Sequence, residues 1–485
     1  MRRVCLAFLA ALLLTTACSG ERPTLEEGAA REVGPTETIE PSVVTTTAPV
    51  TVRLAVPETW SLDPADAGAV SLTNRVLADL LYEGLTTLGD DGLPAPALAT
   101  RWFASEDRLS WTFVLAETAT DGSGRPITAR DVKASLERIA SRGPADQAAT
   151  ALTAVSGWTD RMTGAAGGVA GIMALDDTTL VIELDTRFEL LLEVLASPAF
   201  GITGADDDGS LRTTGAYAAT DDPTVLVAVD PDATVDRIEL VPVDGDIAAA
   251  IDSGAADWGV IDPDESVADI ESLVIRQPLE LEVAIVARSP IESVRLGLLG
   301  TLDPLALAPT VEGLVARTAG DPADSPAPPS VALVDVPSGE LAALSNAVVG
   351  QLEDAGIAVL PVASDVDGFA ARVAAGDALM FPIVVAGGTG PASAVLRLGV
   401  PGGTDDVFGP QSTARAELAE AVVTETDVEQ RALFIEALKQ ALIDEGLVLP
   451  IGQFEVRIAL SRRLDGLAHR PGGTLDLSGV ALAEP

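Results

Sequence analysis

The chain has 485 residues, 47% of them hydrophobic, so it is long enough for several domains and can bury a large core. It carries 73 Asp and Glu against 30 Lys and Arg, which gives a formal net charge of -43. This balance argues against broad binding to nucleic acid or anionic lipid, because neutralising phosphates requires clustered cations.

The N-terminal residues have the pattern of an export signal. Arg2 and Arg3 precede an apolar stretch, 4–14, that is shorter than the roughly 20 residues needed to span a bilayer. Small residues then precede Cys18, as in a bacterial lipobox. We therefore expect residues 1–17 to be a lipoprotein signal peptide and Cys18 to carry a lipid. An ordinary signal peptide with an incidental cysteine is the alternative.

Residues 18–50 are predicted to form a disordered tether. They are rich in Glu, Thr and Pro and show neither a strand period nor a helix period. The only other cysteine of the chain, Cys5, would leave with the signal peptide. A mature chain whose single cysteine carries lipid would have no disulfide.

The folded body is predicted to begin at Thr51. Thr128 and Asp131 have the spacing of a capping box, which predicts a helix that starts there and runs through Arg138. Period and turn residues predict the other elements of this half. These are strands at 51–56, 109–115 and 179–184 and helices at 72–85, 189–196 and 247–251.

The second half of the body contains a strand–helix–strand pattern, which predicts a parallel crossover and an α/β lobe. Gly356 directly follows the helix of this pattern, as a C′ glycine does. A long helical stretch with a break near Thr424 follows, and two strands close the body. The ranges are 331–334, 341–355 and 357–360 for the crossover, 414–444 for the helical stretch, and 447–451 and 455–460 for the late strands.

Residues with catalytic or metal-binding patterns are scarce. The single histidine, His469, lies in a polar tail rich in Pro and Gly, and we interpret it as a surface residue. A zinc site requires a cluster of Cys and His, which this sequence lacks. Glycoside hydrolysis needs a specific carboxylate pair, and among 73 carboxylates none stands out. The sequence therefore predicts no catalytic residue, no metal site and no cofactor.

A series of short motifs in the first third of the body resembles one family. The motifs are Leu62-Asp63-Pro64, Leu81-Tyr82-Glu83-Gly84-Leu85, Trp111-Thr112-Phe113, Pro126-Ile127-Thr128-Ala129-Arg130-Asp131-Val132 and Ser135-Leu136-Glu137-Arg138. In this order they resemble the family 5 extracellular solute-binding proteins, the dipeptide- and oligopeptide-binding components of ABC importers. The resemblance extends over about 51–470, closely before residue 140 and loosely after it.

The resemblance implies an α/β, two-lobed periplasmic-binding-protein-like fold of type II with an extra inserted subdomain. Such a protein closes on its ligand by rotation of two lobes about a hinge. The implied layout is discontinuous along the chain. Lobe I combines 51–82, 170–275 and 448–485, the inserted subdomain is 83–169, and lobe II is 276–447.

The resemblance also implies a ligand site in the cleft between the lobes. Small residues there let backbone groups approach a peptide and bind it whatever its side chains. Gly68, Ala69, Val70 and Ser71 occupy the family's position for one wall, and Val385, Ala386, Gly387, Gly388 and Thr389 that for the other. A plain surface turn is the alternative for each segment.

The second wall departs from the family pattern. Peptide-binding members often have a tryptophan and then an aspartate that pairs with the α-amine of the peptide. Aligning Pro391 with the family's proline places Val384 and Gly387 at those positions. Asp406 and Phe408 lie nearby in sequence and are the candidates to replace the missing groups. The ligand is therefore left open among a peptide, an amine, a sugar and a metal chelate.

The function that the resemblance implies is binding rather than catalysis. The protein would be a monomeric, extracytoplasmic component, lipid-anchored to the bacterial cell membrane, that delivers its ligand to the subunits of an ABC permease. A lipoprotein that reuses the fold for sensing or for a protein–protein contact is the alternative. The aromatic residues Trp60, Trp158, Trp258 and Tyr217 belong either to the core or to the cleft.

Overall fold

The computed structural model describes the body of the chain with several gaps. The described residues are 50–67, 72–89, 91–143, 147–205, 211–261, 273–289, 291–311, 313–316, 325, 327–334, 340–362, 379–386, 412–470 and 473–483. Cys18 and residues 68–71, 387–389, 406 and 408 of the predicted site lie outside them.

The described residues form the following α-helices and β-strands. The helices are α1 (Leu72–Leu81), α2 (Ala129–Ala140), α3 (Gln147–Thr150), α4 (Trp158–Met162), α5 (Leu191–Leu195), α6 (Ile247–Asp252), α7 (Glu292–Leu299), α8 (Pro304–Leu307), α9 (Glu340–Asp354), α10 (Thr413–Thr424) and α11 (Val428–Asp444). The first strands are β1 (Thr51–Val56), β2 (Thr86–Leu88), β3 (Pro94–Pro96), β4 (Ala99–Ala104), β5 (Ser110–Leu115), β6 (Ile172–Ala174), β7 (Thr179–Glu183), β8 (Gly204–Ala205), β9 (Leu211–Arg212), β10 (Tyr217–Ala219), β11 (Val225–Ala228) and β12 (Arg237–Pro242). The later strands are β13 (Trp258–Ile261), β14 (Leu273–Arg288), β15 (Val315–Ala316), β16 (Ser330–Val334), β17 (Ala358–Val362), β18 (Leu379–Ala386), β19 (Val448–Ser461), β20 (Leu464–Asp465), β21 (Ala468–His469), β22 (Leu475–Asp476) and β23 (Ala481–Leu482).

A large mixed sheet runs through the body in the order β10-β11-β12-β1-β13-β19-β14-β18-β16-β17, with β15 paired to β19. β1 is parallel to β12 and β13, and β16 is parallel to β17 and β18, so each half of the sheet contains parallel crossovers. The predicted α/β crossover at β16, α9 and β17 is confirmed. Gly356, which follows α9, has a φ of +82°, in the left-handed region expected of a C′ glycine.

Three large apolar cores and two smaller clusters lie among the described residues. Core A lies on β1, β12, β13 and α1 and contains Leu54, Val76 and Trp258. Core C lies on β14, β16, α7 and α9 and contains Val283, Leu298 and Leu344. Core B lies between α2 and a separate four-stranded sheet in the order β4-β5-β7-β6. Representative members of core B are Phe113, Leu136, Trp158 and Leu180.

The strands β14 and β19 connect the two halves of the large sheet. β19 pairs with β13 near its end, and β14 pairs with β18, while β14 and β19 pair with each other along most of their length. The two short strands predicted at 447–451 and 455–460 are wrong, because β19 is one continuous strand. β14 was not predicted from the sequence at all.

Local signals account for most of the correct element boundaries. The Asp131 carboxylate accepts a hydrogen bond from the Thr128 backbone N–H at 2.8 Å, so the capping box forms at the start of α2. The predicted break near Thr424 is confirmed, since α10 ends there and α11 begins at Val428. Helix 72–85 was predicted too long, because α1 ends at Leu81. Within the described residues, no helix is both long and apolar enough to cross a membrane.

Candidate functional site

The chain on the N-terminal side of the predicted first wall is held by a polar network. Asp63 caps a short 3-10 helix, Pro64–Asp66, by accepting a hydrogen bond from the Ala65 N–H at 2.9 Å. The Ser61 hydroxyl donates to Asp66 at 2.7 Å, and the Asn74 side chain of α1 donates to the Asp66 carbonyl at 3.3 Å. These bonds tie the segment before residue 68 to the helix that begins at residue 72.

Arg138 of α2 and Arg142, two residues after the end of α2, extend this network. Arg138 Nη1 donates to Asp63 at 2.9 Å, and Arg142 Nη2 donates to Asp66 at 2.5 Å. Tyr82 is buried beside the pair, and burial together with the charge of Asp63 raises its pKa to about 12. The motifs Leu62-Asp63-Pro64 and Ser135-Leu136-Glu137-Arg138, distant in sequence, are therefore joined by an ion pair. Sequence reasoning found both motifs but not their contact.

Only the beginning of the predicted second wall is described. Val385 and Ala386 are the last residues of β18, where they pair with Glu282 and Leu281 of β14. They therefore stand at the end of a strand in the half of the sheet that covers core C. The whole first wall and residues 387–389 of the second wall lie outside the described residues. The site as a whole therefore stays a prediction.

The crossing of β14 and β19 has irregular register. The pairing shifts between Arg276 and Leu279, and the intervening segment contains Pro278. Proline has no N–H to donate to a ladder, so a bulge at this position follows from the sequence. A second shift occurs between Val283 and Ala284. The second irregularity lies within core C, of which Val283 is a member.

A buried carboxylate fastens the first part of the sheet to the C-terminal region. Asp257 is fully buried and accepts hydrogen bonds from Arg53 Nη2 at 3.1 Å and from Arg463 Nη2 at 2.6 Å. Burial alone would raise the pKa of Asp257, but the hydrogen bonds from Arg463 and Arg53 outweigh it and hold the pKa below its usual value. Residues more than 200 positions apart therefore share one ion-pair centre.

The four aromatic residues left open by the sequence are mostly core residues. Trp158 and Trp258 are fully buried and Tyr217 is 3% exposed, while Trp60 is half-buried against core A. The interpretation of His469 as a surface residue is wrong, because His469 is half-buried and its Nε2 accepts a hydrogen bond from Trp258 Nε1 at 3.2 Å. Burial, with the nearby charge of Arg276, lowers the pKa of His469 to about 4.

Glu83, in the motif after α1, has an unusual electrostatic environment. Its backbone N–H donates to Thr214 Oγ1 at 3.0 Å, and its carbonyl accepts from the Ile202 N–H at 2.9 Å. Burial of the carboxyl group, and then the charge of Asp230, raise the pKa of Glu83 to about 7. The folded state therefore binds a proton at Glu83 more tightly than the unfolded state does.

Replacing Glu83 by glutamine is expected to stabilise the protein at pH 8 by about 2–3 kcal/mol and to have little effect at pH 4.5. Between pH 4.5 and 7 the folded state binds more protons than the unfolded state, so this residue makes stability fall as pH rises. Urea unfolding at both pH values measures the difference. Glu183→Gln, at an exposed position of β7, is the matched control. Equal effects of the two variants at pH 8 would contradict the expectation.

The described residues contain no group of three His, Cys, Asp or Glu side chains placed to hold a metal ion.

Comparison with known proteins agrees with the fold. Residues 94–276 match the family described as "Bacterial extracellular solute-binding proteins, family 5 Middle". The fold is similar to the solved structure of the Escherichia coli murein tripeptide binding protein MppA, with a TM-score of 0.63 and 18% sequence identity. The superposition covers 90% of this chain and 99% of that protein. The clavulanic acid biosynthesis oligopeptide binding protein 2 gives a TM-score of 0.66 at 19% identity, over 90% and 95% of the two chains.

Similarity at the level of sequence is confined to part of the chain. The Escherichia coli periplasmic murein peptide-binding protein MppA is 32% identical over 152 residues, which are 31% of this chain and 28% of that protein. The Bacillus subtilis dipeptide-binding protein DppE is 32% identical over 126 residues, which are 25% of this chain and 22% of that protein. The aligned segments thus span less than a third of either relative.

The fold is that of the two-lobed periplasmic binding proteins, a mixed α/β architecture with several sheets. Within this class, residues 94–276 are similar to the family 5 extracellular solute-binding proteins. The resemblance seen in the sequence motifs is confirmed.

Proposed function

We propose that this protein is the lipid-anchored substrate-binding component of an ABC importer, which captures a peptide or a similar small solute between two lobes and delivers it to a membrane permease. The match of residues 94–276 to the family 5 solute-binding proteins is the observation that carries the proposal. The relatives named MppA and DppE are peptide-binding proteins, which supports a peptide as the first ligand to test.

The proposed binding site keeps the residues expected from the sequence. One wall is Gly68, Ala69, Val70 and Ser71, and the other is Val385, Ala386, Gly387, Gly388 and Thr389, with Asp406 and Phe408 supplying a charge and an aromatic surface. The network of Asp63 and Asp66 with Arg138 and Arg142 supports this placement of the first wall, because it holds the preceding backbone in one position. A preorganised wall loses less entropy when a ligand binds.

The chemistry proposed for this site is binding alone. Backbone N–H and C=O groups hold an extended peptide without reading its side chains. Capture at micromolar concentration requires about -8 kcal/mol of binding free energy. Several backbone hydrogen bonds and modest apolar burial suffice for that value, so neither a cofactor nor a metal is part of the proposal.

The full chain, produced in a bacterial host and extracted from its membranes with detergent, is expected to release peptides when it is denatured. Native mass spectrometry before denaturation gives the mass of the complex, and mass spectrometry afterwards identifies what was bound. The intact mass is expected to correspond to a chain that starts at Cys18 and carries a lipid. Cys18→Ser is the matched control, which we expect to remove the lipid and to leave the bound peptides unchanged.

Other outcomes of this experiment decide between the proposed function and its alternative. Release of an amine, a sugar or a metal chelate would retain an importer and change its ligand. An empty protein that also shows no thermal shift with peptides, sugars, amines or metal chelates would contradict solute capture. That result would favour a lipoprotein that uses the same fold for sensing or for a protein–protein contact.

A further inference from the structure

The helical pair α10–α11 packs away from its neighbours in the chain. It lies in sequence between β18 and β19, the strands that flank β14 in the large sheet and contribute to core C. Five of its buried apolar side chains nevertheless belong to core B, together with Phe113 of β5 and Leu136 of α2. These side chains are Ala419, Val422, Val423, Ile435 and Leu438, each no more than 8% exposed.

Polar contacts at the corner between α10 and α11 reinforce this packing. The Glu189 backbone N–H donates to the Val423 carbonyl at 2.7 Å. Arg431 of α11 is buried, forms an ion pair with Glu193 of α5, and donates through Nη1 to the Glu425 carbonyl at 3.1 Å. Burial raises the pKa of Glu193, and the charge of Arg431 opposes that shift. The corner is thus fastened to the segment around α5 by both backbone and side chains.

The opposite end of the helical pair contacts the region of core C in a different way. Arg295 of α7 donates from Nε and Nη2 to the Glu445 carbonyl at 3.1 and 2.9 Å. Leu442 packs against Val286 and Leu447 in a small separate cluster. Gly446, between helix and strand, has a φ of +66°. This contact is therefore built from a short turn with a left-handed glycine, hydrogen bonds from Arg295 and an apolar cluster much smaller than core B.

We propose that α10–α11 is a permanent part of the body formed by cores A and B, and that the body around core C pivots on the turn at Glu445–Gly446–Leu447 when the lobes close. The inference rests on the proposed two-lobed ligand capture. Domain interfaces that open and close are usually small and polar, whereas a large apolar contact holds its partners together. The contact with core B has the larger apolar surface, so it stays closed while the turn changes its backbone conformation.

This assignment changes which part of the protein moves. The moving body becomes smaller than the continuous segment 276–447, because α10 and α11 remain with the other body. It is joined to that body by β14, by β19 and by the chain that enters α10 at Ser412. Several linking segments restrict rotation to fewer axes than one linker allows, so we expect closure to follow a defined hinge rather than a broad range of orientations.

Hydrogen exchange of one backbone amide tests the inference without any ligand. The Glu189 amide hydrogen spans the interface itself, and its exchange requires the corner of α10–α11 to separate from α5. The Leu184 amide, which donates to the Leu109 carbonyl at 2.8 Å inside core B, is the reference. In the full chain, we expect the protection factors of the two amides to agree within about 30-fold. A Glu189 protection factor lower than that of Leu184 by more than about 30-fold would overturn the inference, because the helical pair would then detach while core B stays folded.

Two variants of α11 test the part played by the ion pair. Arg431→Ala is expected to speed exchange at Glu189 by about tenfold or more relative to Leu184. Lys439→Ala, which removes the exposed pair of Lys439 with Glu436 on the same helix, is expected to leave that ratio unchanged. If the ratio of Glu189 to Leu184 exchange were the same in both variants, the ion pair of Arg431 with Glu193 would not help to hold the helices on core B. The measurement on the unaltered chain still decides whether the helices stay docked, and it is independent of whether any peptide binds.

Discussion

Replacing Asp257 by alanine is expected to lower the free energy of unfolding by about 3 kcal/mol. The carboxylate is fully buried and binds both Arg53 and Arg463. Its removal leaves two guanidinium groups without their common partner at the point where β1, β13 and the C-terminal region meet. Chemical denaturation monitored by tryptophan fluorescence measures the loss, since Trp258 is the next residue in the chain.

The matched control for this variant is Asp465→Ala. Asp465 is an exposed residue of β20 in the same C-terminal region. We expect its replacement to change the free energy of unfolding by less than about 0.5 kcal/mol, as is usual for exposed positions. If both variants lost the same stability, burial and the two arginines would not be what makes Asp257 important.

Replacing Glu445 by alanine is expected to cost about 3–5 kcal/mol of unfolding free energy. Glu445 accepts a hydrogen bond from Arg415 Nη1 at 2.5 Å and another from the Ser412 hydroxyl. Arg415 is fully buried, so loss of the carboxylate takes the Glu445 partner away from a buried guanidinium. Thermal and urea unfolding of the full chain measure this effect.

A double variant distinguishes loss of the Arg415–Glu445 ion pair from disrupted packing around Glu445. Arg415→Met with Glu445→Leu removes both charges and retains apolar volume, so we expect it to be at least about 2 kcal/mol more stable than Glu445→Ala alone. Glu436→Ala, at an exposed position of α11, is the control for loss of a carboxylate and is expected to be nearly neutral. A double variant as unstable as the single one would show that the cost does not come from a buried Arg415 charge that has lost its Glu445 partner.

Short-range features of the fold were predictable from the sequence. The helix after Thr128 follows from a side chain that bonds to backbone three residues away, and the end of α9 follows from a glycine that tolerates positive φ. Both signals operate within one turn of chain. The parallel crossover of β16 and β17 was also predictable, since a strand–helix–strand order admits few arrangements.

Long-range features were missed for a physical reason. β19 was predicted as two strands with a gap at 452–454, which begins with Gly452. In the fold it stays continuous, since β14 supplies partners along it and β13 pairs with its end. The side-chain pattern of a strand records burial, but not which strand lies beside it. Pairing between distant segments overrode the local signal.

The candidate site shows the same division. The motifs that resemble the family 5 solute-binding proteins could be recognised in the sequence, and the residues proposed for the two walls were named from that resemblance. The ion pair of Arg138 with Asp63, which holds the backbone before the first wall, depends on how α2 packs. Neither residue signals that contact alone, because surface arginines and aspartates are common in any sequence.

Residues close together in the chain carry the resemblance to the family 5 solute-binding proteins, the pattern of an export signal and the capping of α2, so these features could be predicted before the fold was known. The contacts of Asp257 with Arg53 and Arg463, of His469 with Trp258, and of α10 and α11 with core B are visible only in the folded chain. Such contacts depend on where separate segments meet, and an amphipathic helix or a single charged residue fits many partners until packing selects one.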